Sequence, residues 1–181
     1  MTFLVLKELE KQSLKTLPAF FGKFYFHRYW RLTPPYMFVM MTYVPLFKYL
    51  GDGPMWPWGG VERDECEDTW WTNMLYINNV YEDKRLCMGW SWYLANDMQF
   101  FWVSPFIFLP LHWFGAKGLF MPFIVLLTQM SVTGRLSVDN NWGPNTVTGG
   151  KEYFRMYYIK PYHRIGPYVV GMVFGWILYK V

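Results

Sequence analysis

The chain has 181 residues, of which 53% are hydrophobic and 23% aromatic, while only 17% are charged. Its 11 Trp and 12 Met residues are far more than a soluble domain of this size usually contains. The composition therefore argues against an ordinary soluble domain, and the net charge of +4 has to be interpreted through its distribution along the chain.

Four apolar segments approach the length of a membrane-spanning helix. A span needs about 20 mostly apolar residues, because the hydrocarbon core is ~30 Å thick and a helix rises ~1.5 Å per residue. The predicted spans lie near residues 32–50, 92–114, 118–133 and 166–180. We therefore predict an all-α fold, a polytopic membrane helical bundle, with residues 51–91 and 134–165 as its outer loops.

The apolar run at the start of the chain, MTFLVL, is short and is followed by the polar segment KELEKQ. It lacks the basic start and the small-residue cleavage site of a signal peptide. A span that begins in mid-helix indicates the end of a preceding helix. The chain is therefore expected to be a partial bundle, with about four spans in addition to that helix end.

Basic residues crowd the first connecting segment, residues 7–31. By the positive-inside rule this segment faces the cytoplasm, which makes residues 51–91 lumenal or extracellular. The turn GAKG at residues 115–118 then returns the chain to the inside. Nucleic-acid binding is the rival interpretation of a basic stretch, but the flanking spans argue against it, so the expected partner is the lipid bilayer.

Both cysteines, Cys66 and Cys87, lie in the outward segment. Cysteines on that side can oxidise, whereas cytosolic ones stay reduced. We expect a disulfide, which would stabilise the fold by about 3 kcal/mol on the chain-entropy model, and two buried free thiols are the alternative. Between them, WWTNMLYI at residues 70–77 fits a strand or an interfacial helix, with an aromatic sugar-binding surface as the functional alternative.

Arg28 and Arg31 are three residues apart and would point the same way on a helix. Pro34 and Pro35 are expected to break or kink the chain as it enters the first span. Two guanidinium groups at the cytoplasmic edge of a membrane can bind phosphate bidentately. The alternative is that the pair only anchors the protein to lipid headgroups.

Polar residues also stand near the start of the second span, in GWSWYLANDMQF at residues 89–100. Asn96 and Gln99 are three residues apart, and Asp97 shares a helical face with Tyr93. An acid at membrane depth is costly, which indicates a functional group that is paired or faces a cavity. The alternative is that Asp97 lies in the outer headgroup zone and caps the start of the helix.

The three histidines carry weaker signals. His112 lies at a helix end and His163 lies in the outer segment KPYHRIGPY, so each is expected to be interfacial or structural rather than catalytic. His27 stands beside the two arginines, and its role stays open. No Cys/His cluster has metal-ligand spacing and no Gly-rich phosphate loop is present, so neither a metal nor a bound cofactor is expected.

Two motifs carry a resemblance to a known family. Arg28-x-x-Arg31-Leu32-x-Pro34-x-Tyr36 resembles the Arg-x-x-Arg-Ile-x-Pro-x-Tyr signature of the acyltransferase 3 family of multi-pass membrane proteins. Trp92-x-Leu94-x-x-Asp97-x-Gln99-Phe100 is similar to the later Trp-Ser-Leu-x-x-Glu-x-Gln-Phe motif, with Asp97 in place of the usual Glu. CMGWSWYLANDMQF and IKPYHRIGPY further resemble the nose-resistant-to-fluoxetine branch of this family.

The resemblance implies that residues 1–181 are an internal portion of one acyltransferase 3 transmembrane domain. It implies acyl-coenzyme A (acyl-CoA) as the donor substrate, with Arg28 and Arg31 near the donor's phosphates on the cytoplasmic side. The acid of the later motif carries over to Asp97. Together with Trp92, Asn96, and Gln99, it is expected to line a cavity on the acceptor side, across the membrane from the arginines.

The family's catalytic histidine follows a basic residue in its first helix. In this chain the residues at the corresponding spacing before His27, His112 and His163 are Thr16, Phe101 and Glu152. The catalytic residue is therefore expected upstream of Met1, is unknown within this chain, and the chain alone is expected to lack activity.

Three functions compete on this scaffold. The first is a membrane acyltransferase that transfers an acyl group from acyl-CoA to a hydroxyl of a lipid, a sterol-like molecule or a glycan. The second is a non-catalytic protein for lipid or xenobiotic transport or handling. The third is a purely structural role.

Overall fold

The structure is a computed structural model, which describes residues 1–13, 15–56, 63–81, 86–141 and 153–181. Every regular element in these ranges is helical, in agreement with the predicted all-α class. Parts of the two expected outer loops, residues 57–62, 82–85 and 142–152, lie outside the described residues.

The described α-helices are α1 (Thr2–Leu9), α2 (Leu17–Leu46), α3 (Arg63–Met74), α4 (Trp92–Phe114), α5 (Phe120–Asp139) and α6 (Pro161–Lys180). Short 3-10 turns cover Phe47–Tyr49, Gly89–Ser91 and Gly115–Leu119, and one π-helical turn covers Phe154–Tyr158. The chain forms two compact units. We call Thr16–Ala95 the α2–α3 unit, and Met1–Lys15 with Asn96–Val181 the α5–α6 unit.

Helix α2 begins well before the first expected span at residues 32–50 and ends at Leu46. Pro18 lies in its first turn. Proline is tolerated there because the backbone N–H groups of the first turn make no hydrogen bond within the helix. Basic and aromatic residues thus form the first half of a helix whose second half is apolar, and the helix begins 15 residues before the span predicted at residues 32–50.

The helix also runs through Pro34 and Pro35, which were expected to break or kink it. Proline has no N–H, so the carbonyls of the residues four positions earlier lose their intrahelical partner. Packing holds this turn in place, because Thr33 and Tyr36 are both buried.

Helix α3 lies within the segment that was expected to be an outer loop, residues 51–91. Its sequence, RDECEDTWWTNM, shows no apolar stripe, yet Cys66, Thr69 and Asn73 are buried at positions i, i+3 and i+7. The face that α3 presents to its unit is therefore made of small polar residues and a cysteine. This result answers the open question at residues 70–77 in favour of a helix through Met74.

Helix α4 coincides with the second expected span, and the chain reverses direction immediately after it. Gly115 adopts a left-handed conformation with φ of 57°, which favours glycine. A Cβ atom on Gly118 would lie 2.2 Å from the carbonyl oxygen of Pro110, so α4 and the turn approach each other closely. Helix α5 then continues to Asp139, beyond the expected end at residue 133.

Hydrogen bonds fix the direction of α6 within the α5–α6 unit. Asn96 donates from Nδ2 to the carbonyl of Ile159 at 3.2 Å, just before α6 begins. At the other end, Trp176 donates from Nε1 to the carbonyl of Leu111 at 3.1 Å. Residues 96–114 of α4 therefore run parallel to α6. Helix α6 begins at Pro161, five residues before the span predicted at residues 166–180.

One continuous helical stretch, Gly89–Asp139, is long and apolar enough to cross a membrane. It contains the expected spans at residues 92–114 and 118–133. Within the described part of the chain no other helix meets the same measure, so the spans at residues 32–50 and 166–180 stay predictions.

Candidate functional site

The arginine motif lies in the middle of α2. Arg28 is half-buried with its Nε atom enclosed, whereas Arg31 is exposed. The charge of Arg28 acts on the hydroxyl of Tyr76, which follows α3. One arginine is thus held within the α2–α3 unit while the other faces outward, and both stand on the same side of the helix.

Tyr76 anchors the end of α3 to the turn of α2 that carries the arginines. Its side chain is fully buried, and its hydroxyl shares a hydrogen bond of 3.1 Å with Thr33 Oγ1. The rings of Tyr29 and Tyr36 pack on it with centroids 6.1 and 5.8 Å away. Its backbone has a φ of 57°, a conformation that costs a residue of this size about 1–3 kcal/mol and persists only where packing enforces it.

A second group of buried polar residues joins the chain after α3 to the start of α4. Asn78 donates from Nδ2 to Ser91 Oγ at 2.8 Å, and both residues are buried. Asn73, fully buried, donates from Nδ2 to the carbonyl of Cys87 at 2.9 Å. Buried amides of this kind stabilise a fold when satisfied and destabilise it when not, so they specify one arrangement.

The expected disulfide between Cys66 and Cys87 is present, with the two Cα atoms 4.4 Å apart. The two cysteines are 21 residues apart in sequence. On the chain-entropy model, closing a loop of this length stabilises the fold by about 3 kcal/mol. The Cys87 sulfur lies 3.9 Å from the Met40 sulfur, so the disulfide packs directly on α2.

Two grooves flank α2 within its unit. The first, which we call the methionine-lined groove, has a volume of about 510 Å³, and three of its eight lining residues are methionines, while Glu67 and Trp70 are two of the others. The second, of about 420 Å³, lies between α2 and the residues that lead into α4. Both are apolar cavities of a size that small-molecule sites commonly have.

The start of the second motif belongs to the same unit. Leu94 and Leu32 line one groove, so the first turn of α4 lies beside α2, one residue beyond Arg31. The sequence predicted this end of the helix on the opposite side of the membrane from the arginines, whereas its first turn lies close to the residue that follows Arg31. Trp92 is half-buried there, with its ring edge-on to Tyr93.

The remaining residues of this motif fall in the α5–α6 unit. Asn96 is buried and bonds to the segment before α6, which is a structural role that the sequence did not indicate. Asp97 and Gln99 are half-buried on the next turn of α4. Their assignment to a cavity on the acceptor side stays a prediction.

His163 is more enclosed than its sequence context suggested. It is buried in the first turn of α6, its Nδ1 shares a hydrogen bond of 2.8 Å with Thr133 Oγ1, and its ring stacks on Tyr157 at 4.2 Å. Its Nε2 atom has no hydrogen-bond partner among the described residues. Burial and, to a lesser extent, the neighbouring Arg164 charge lower the pKa of this residue, which precedes the predicted fourth span, to about 4.

The other histidines are less enclosed, since His27 is exposed and His112 is half-buried at the end of α4. Among the described residues, no group of three or more His, Cys, Asp or Glu side chains is arranged to hold a metal ion. Sequence reasoning missed Tyr76, Asn78 and Ser91, whose pairing joins residues that are far apart in sequence. Tyr36 could have been found, because it is the last residue of the arginine motif.

Comparison with known proteins agrees with the motifs. The acyltransferase 3 family, described as an acyltransferase domain, matches residues 3–181. Nose resistant to fluoxetine protein 6 of Caenorhabditis elegans is 37% identical over 168 residues, covering 86% of this chain and 20% of that protein. Regulator of hypoxia-inducible factor 1 of the same organism is 27% identical over 113 residues, covering 54% of this chain and 22% of that protein.

The chain thus spans about a fifth of the length of the curated relatives it matches. No solved structure matches it. The family match extends over nearly every residue and includes both motifs, so the chain belongs to the acyltransferase 3 family, in its nose-resistant-to-fluoxetine branch.

Proposed function

We propose that the protein containing this chain is an integral membrane acyltransferase, which moves an acyl group from acyl-CoA to a hydroxyl of a lipid or another acceptor. The family supports an acyltransferase-type function. The observation that carries the proposal is the arginine pair on α2, in which Arg31 is exposed and Arg28 is half-buried near Tyr76.

Arg28 and Arg31 bind the phosphates of the donor in this proposal. Guanidinium groups bind phosphate oxygens bidentately and remain charged at any physiological pH. The bond between Thr33 and Tyr76 fixes the backbone one turn further along the helix, so the pair is held in position before the donor arrives.

The reaction is an ordinary acyl transfer. The acceptor oxygen forms a bond to the thioester carbonyl carbon, the carbon–sulfur bond breaks, and the proton of the hydroxyl passes through a base to the departing thiolate. In the family this base is a histidine, which we expect outside residues 1–181, and such a base contributes roughly 10²–10⁴-fold to the rate. Asp97 and Gln99, which are half-buried on one turn of α4, are the residues that we propose to contact the acceptor.

The proposed topology places residues 51–91 on the lumenal or extracellular side of the membrane. The Cys66–Cys87 disulfide supports it, because such bonds form and persist in oxidising compartments. The direction of the helices in the α5–α6 unit also supports it. Thr133, in the second half of α5, shares a hydrogen bond with His163 in the first turn of α6, as two antiparallel neighbouring spans require.

Donor binding by the full-length protein tests the proposal. Labelled acyl-CoA should bind to the purified protein, and the variant Arg28→Ala/Arg31→Ala should lose binding by tenfold or more, since each phosphate hydrogen bond to a charged group is worth about 1.5–3 kcal/mol. Lys23→Ala is the matched control, because Lys23 is an exposed cation on the same helix. Binding that survives the double substitution would show that the pair only anchors the protein to lipid.

A protein for lipid or xenobiotic handling is the second candidate. The methionine-lined groove beside α2 favours it, because flexible thioether side chains adapt to varied apolar ligands. The two candidates differ in turnover. An acyltransferase converts labelled acyl-CoA to free CoA and an acylated product, whereas a handling protein binds apolar ligands and leaves the thioester intact.

A further inference from the structure

The groove between α2 and the start of α4 has an apolar wall with a small polar area. Its volume is about 420 Å³. The residues that line it are Leu32, Pro35, Tyr36, Val39, Met88, Trp90, Ser91, Tyr93 and Leu94. Tyr36 and Ser91, which are both buried, contribute hydroxyl groups to this lining.

This groove is held in a fixed shape by its polar floor. Ser91 also accepts a hydrogen bond from Asn78 at 2.8 Å, and both residues are buried. Met88, at the edge of the groove, adopts a left-handed backbone with φ of 49°. A preformed cavity costs a ligand little conformational free energy on binding, which is the usual property of a small-molecule site.

The groove lies on the same stripe of α2 as Arg28. Leu32, Pro35 and Val39 follow Arg28 at positions i+4, i+7 and i+11, which lie on one face of an α-helix. Arg31 in turn precedes Pro35 by four residues. A molecule that lies along this stripe would therefore meet two cations at one end and an apolar cavity at the other.

The methionine-lined groove does not share this arrangement. Met37 follows Arg28 by nine residues, which is about two and a half turns of helix, so it points away from the arginine. That groove also has a carboxylate, Glu67, in its wall, which would repel an anionic ligand. The charges and the helical geometry thus select one groove of the two.

We propose that the groove at Leu32, Pro35, Val39 and Leu94 holds the acyl chain of the donor whose phosphates bind Arg28 and Arg31. The inference rests on the proposed donor site and adds the part of the protein that selects the acyl chain. The occupant is an anionic amphiphile, because only such a molecule satisfies the arginines and the apolar wall together.

Val39 is the position at which to change the size of the groove. It lies on the groove wall and its side chain is 51% exposed, so a larger side chain would extend into the cavity without displacing a core residue. The probes are non-hydrolysable thioether analogues of acetyl-CoA and octanoyl-CoA, which share the phosphates and differ in chain length. Binding is measured with the full-length protein in one detergent.

In the unmodified protein, affinity should rise roughly fourfold for each methylene that the groove removes from water. Val39→Trp fills space for at least two methylenes and should weaken octanoyl-CoA binding about 16-fold, while acetyl-CoA binding stays within twofold. Val39→Ala is a second, less bulky variant and should weaken octanoyl-CoA binding a few-fold. The matched control is Met41→Trp, at an exposed residue of the methionine-lined groove, which should leave both affinities unchanged.

The outcomes separate the two proposals. In one outcome, Arg28→Ala/Arg31→Ala weakens the binding of both analogues equally, and neither Val39→Trp nor Val39→Ala changes the dependence on acyl-chain length. That outcome would support the donor site and refute the assignment of the groove to the acyl chain. If only Met41→Trp changes the dependence on acyl-chain length, the acyl chain lies in the methionine-lined groove, and the inference is overturned. If the unmodified protein binds neither analogue, the donor site fails and the groove assignment fails with it.

Discussion

A methyl group added at Gly118 should disrupt the reversal between α4 and α5. A Cβ atom there would lie 2.2 Å from the carbonyl oxygen and 2.5 Å from the carbonyl carbon of Pro110, and 2.7 Å from the amide nitrogen of Leu111. Ordinary contacts begin at 3.4 Å. The obstructing atoms are all backbone, so the end of α4 would have to move by more than an ångström.

Overpacking of this kind costs about 1–3 kcal/mol, and sometimes more. Gly134→Ala is the matched control, because Gly134 lies inside α5 and an added Cβ there meets nothing within 4 Å. Alanine at a helix interior is favoured over glycine by about 0.5–1 kcal/mol. Gly118→Ala should therefore lower the free energy of unfolding and Gly134→Ala should raise it, so that the two variants differ by about 2–4 kcal/mol.

The assay uses the full-length protein, fused to a fluorescent reporter and extracted in detergent. The fraction that remains monodisperse after heating gives a midpoint temperature for each variant. Gly118→Ala should melt below the unmodified protein, and Gly134→Ala at or above it. Equal midpoints for the two variants would refute the close approach of the turn to Pro110.

Three further predictions concern contacts inside each of the two units. Cys66→Ser with Cys87→Ser should lower the free energy of unfolding by about 3 kcal/mol, and mass spectrometry of the unreduced protein should show the two thiols protected from alkylation. Asn73→Ala should cost about 1–3 kcal/mol, because it leaves the buried carbonyl of Cys87 unpaired, whereas Asn140→Ala, at an exposed residue, should change stability by less than about 0.5 kcal/mol. Because the pKa of His163 is lowered from 6.5 to about 4, the unfolded chain binds a proton at this residue first, so stability should fall as the pH drops from about 6.5 to about 4. A profile recorded with His163→Gln should be flatter over that range, and a profile identical to that of the unmodified protein would contradict the buried neutral state.

The features that the sequence predicted correctly depend on local patterns. The apolar run from Trp92 to Phe114 is long enough to be a helix by itself, and two glycines around Lys117 terminate it. The disulfide was predicted from two cysteines in one segment that was expected to face outward, and it is present. Each of these inferences needs only residues that are close in sequence or few in number.

The features that it missed depend on partners far along the chain. Helix α3 could not be recognised by periodicity, because its buried face consists of Thr, Asn and Cys rather than apolar residues. Nothing near Tyr76 shows that its hydroxyl pairs with Thr33, which lies 43 residues earlier. The prolines of α2 illustrate the same limit, since local rules predict a break that the buried neighbours Thr33 and Tyr36 prevent.

The candidate site shows both situations. Arg28 and Arg31 were identified from their spacing, and the structure places them on one helix as expected. The groove beside them was not foreseen, because it forms only when residues 88–94 pack against α2. Its position relative to the arginines is a property of the folded unit.

The disulfide implies an order of events during biogenesis. In the folded unit the disulfide lies where α3 packs on α2, because Asn73 binds the carbonyl of Cys87 and the Cys87 sulfur touches Met40. On the proposed topology, the oxidising enzymes of the secretory pathway reach these thiols only when the segment has crossed to the lumenal face. A chain inserted in the reverse orientation would keep both thiols reduced, so oxidation of this pair is a checkpoint for correct insertion and for docking of α3.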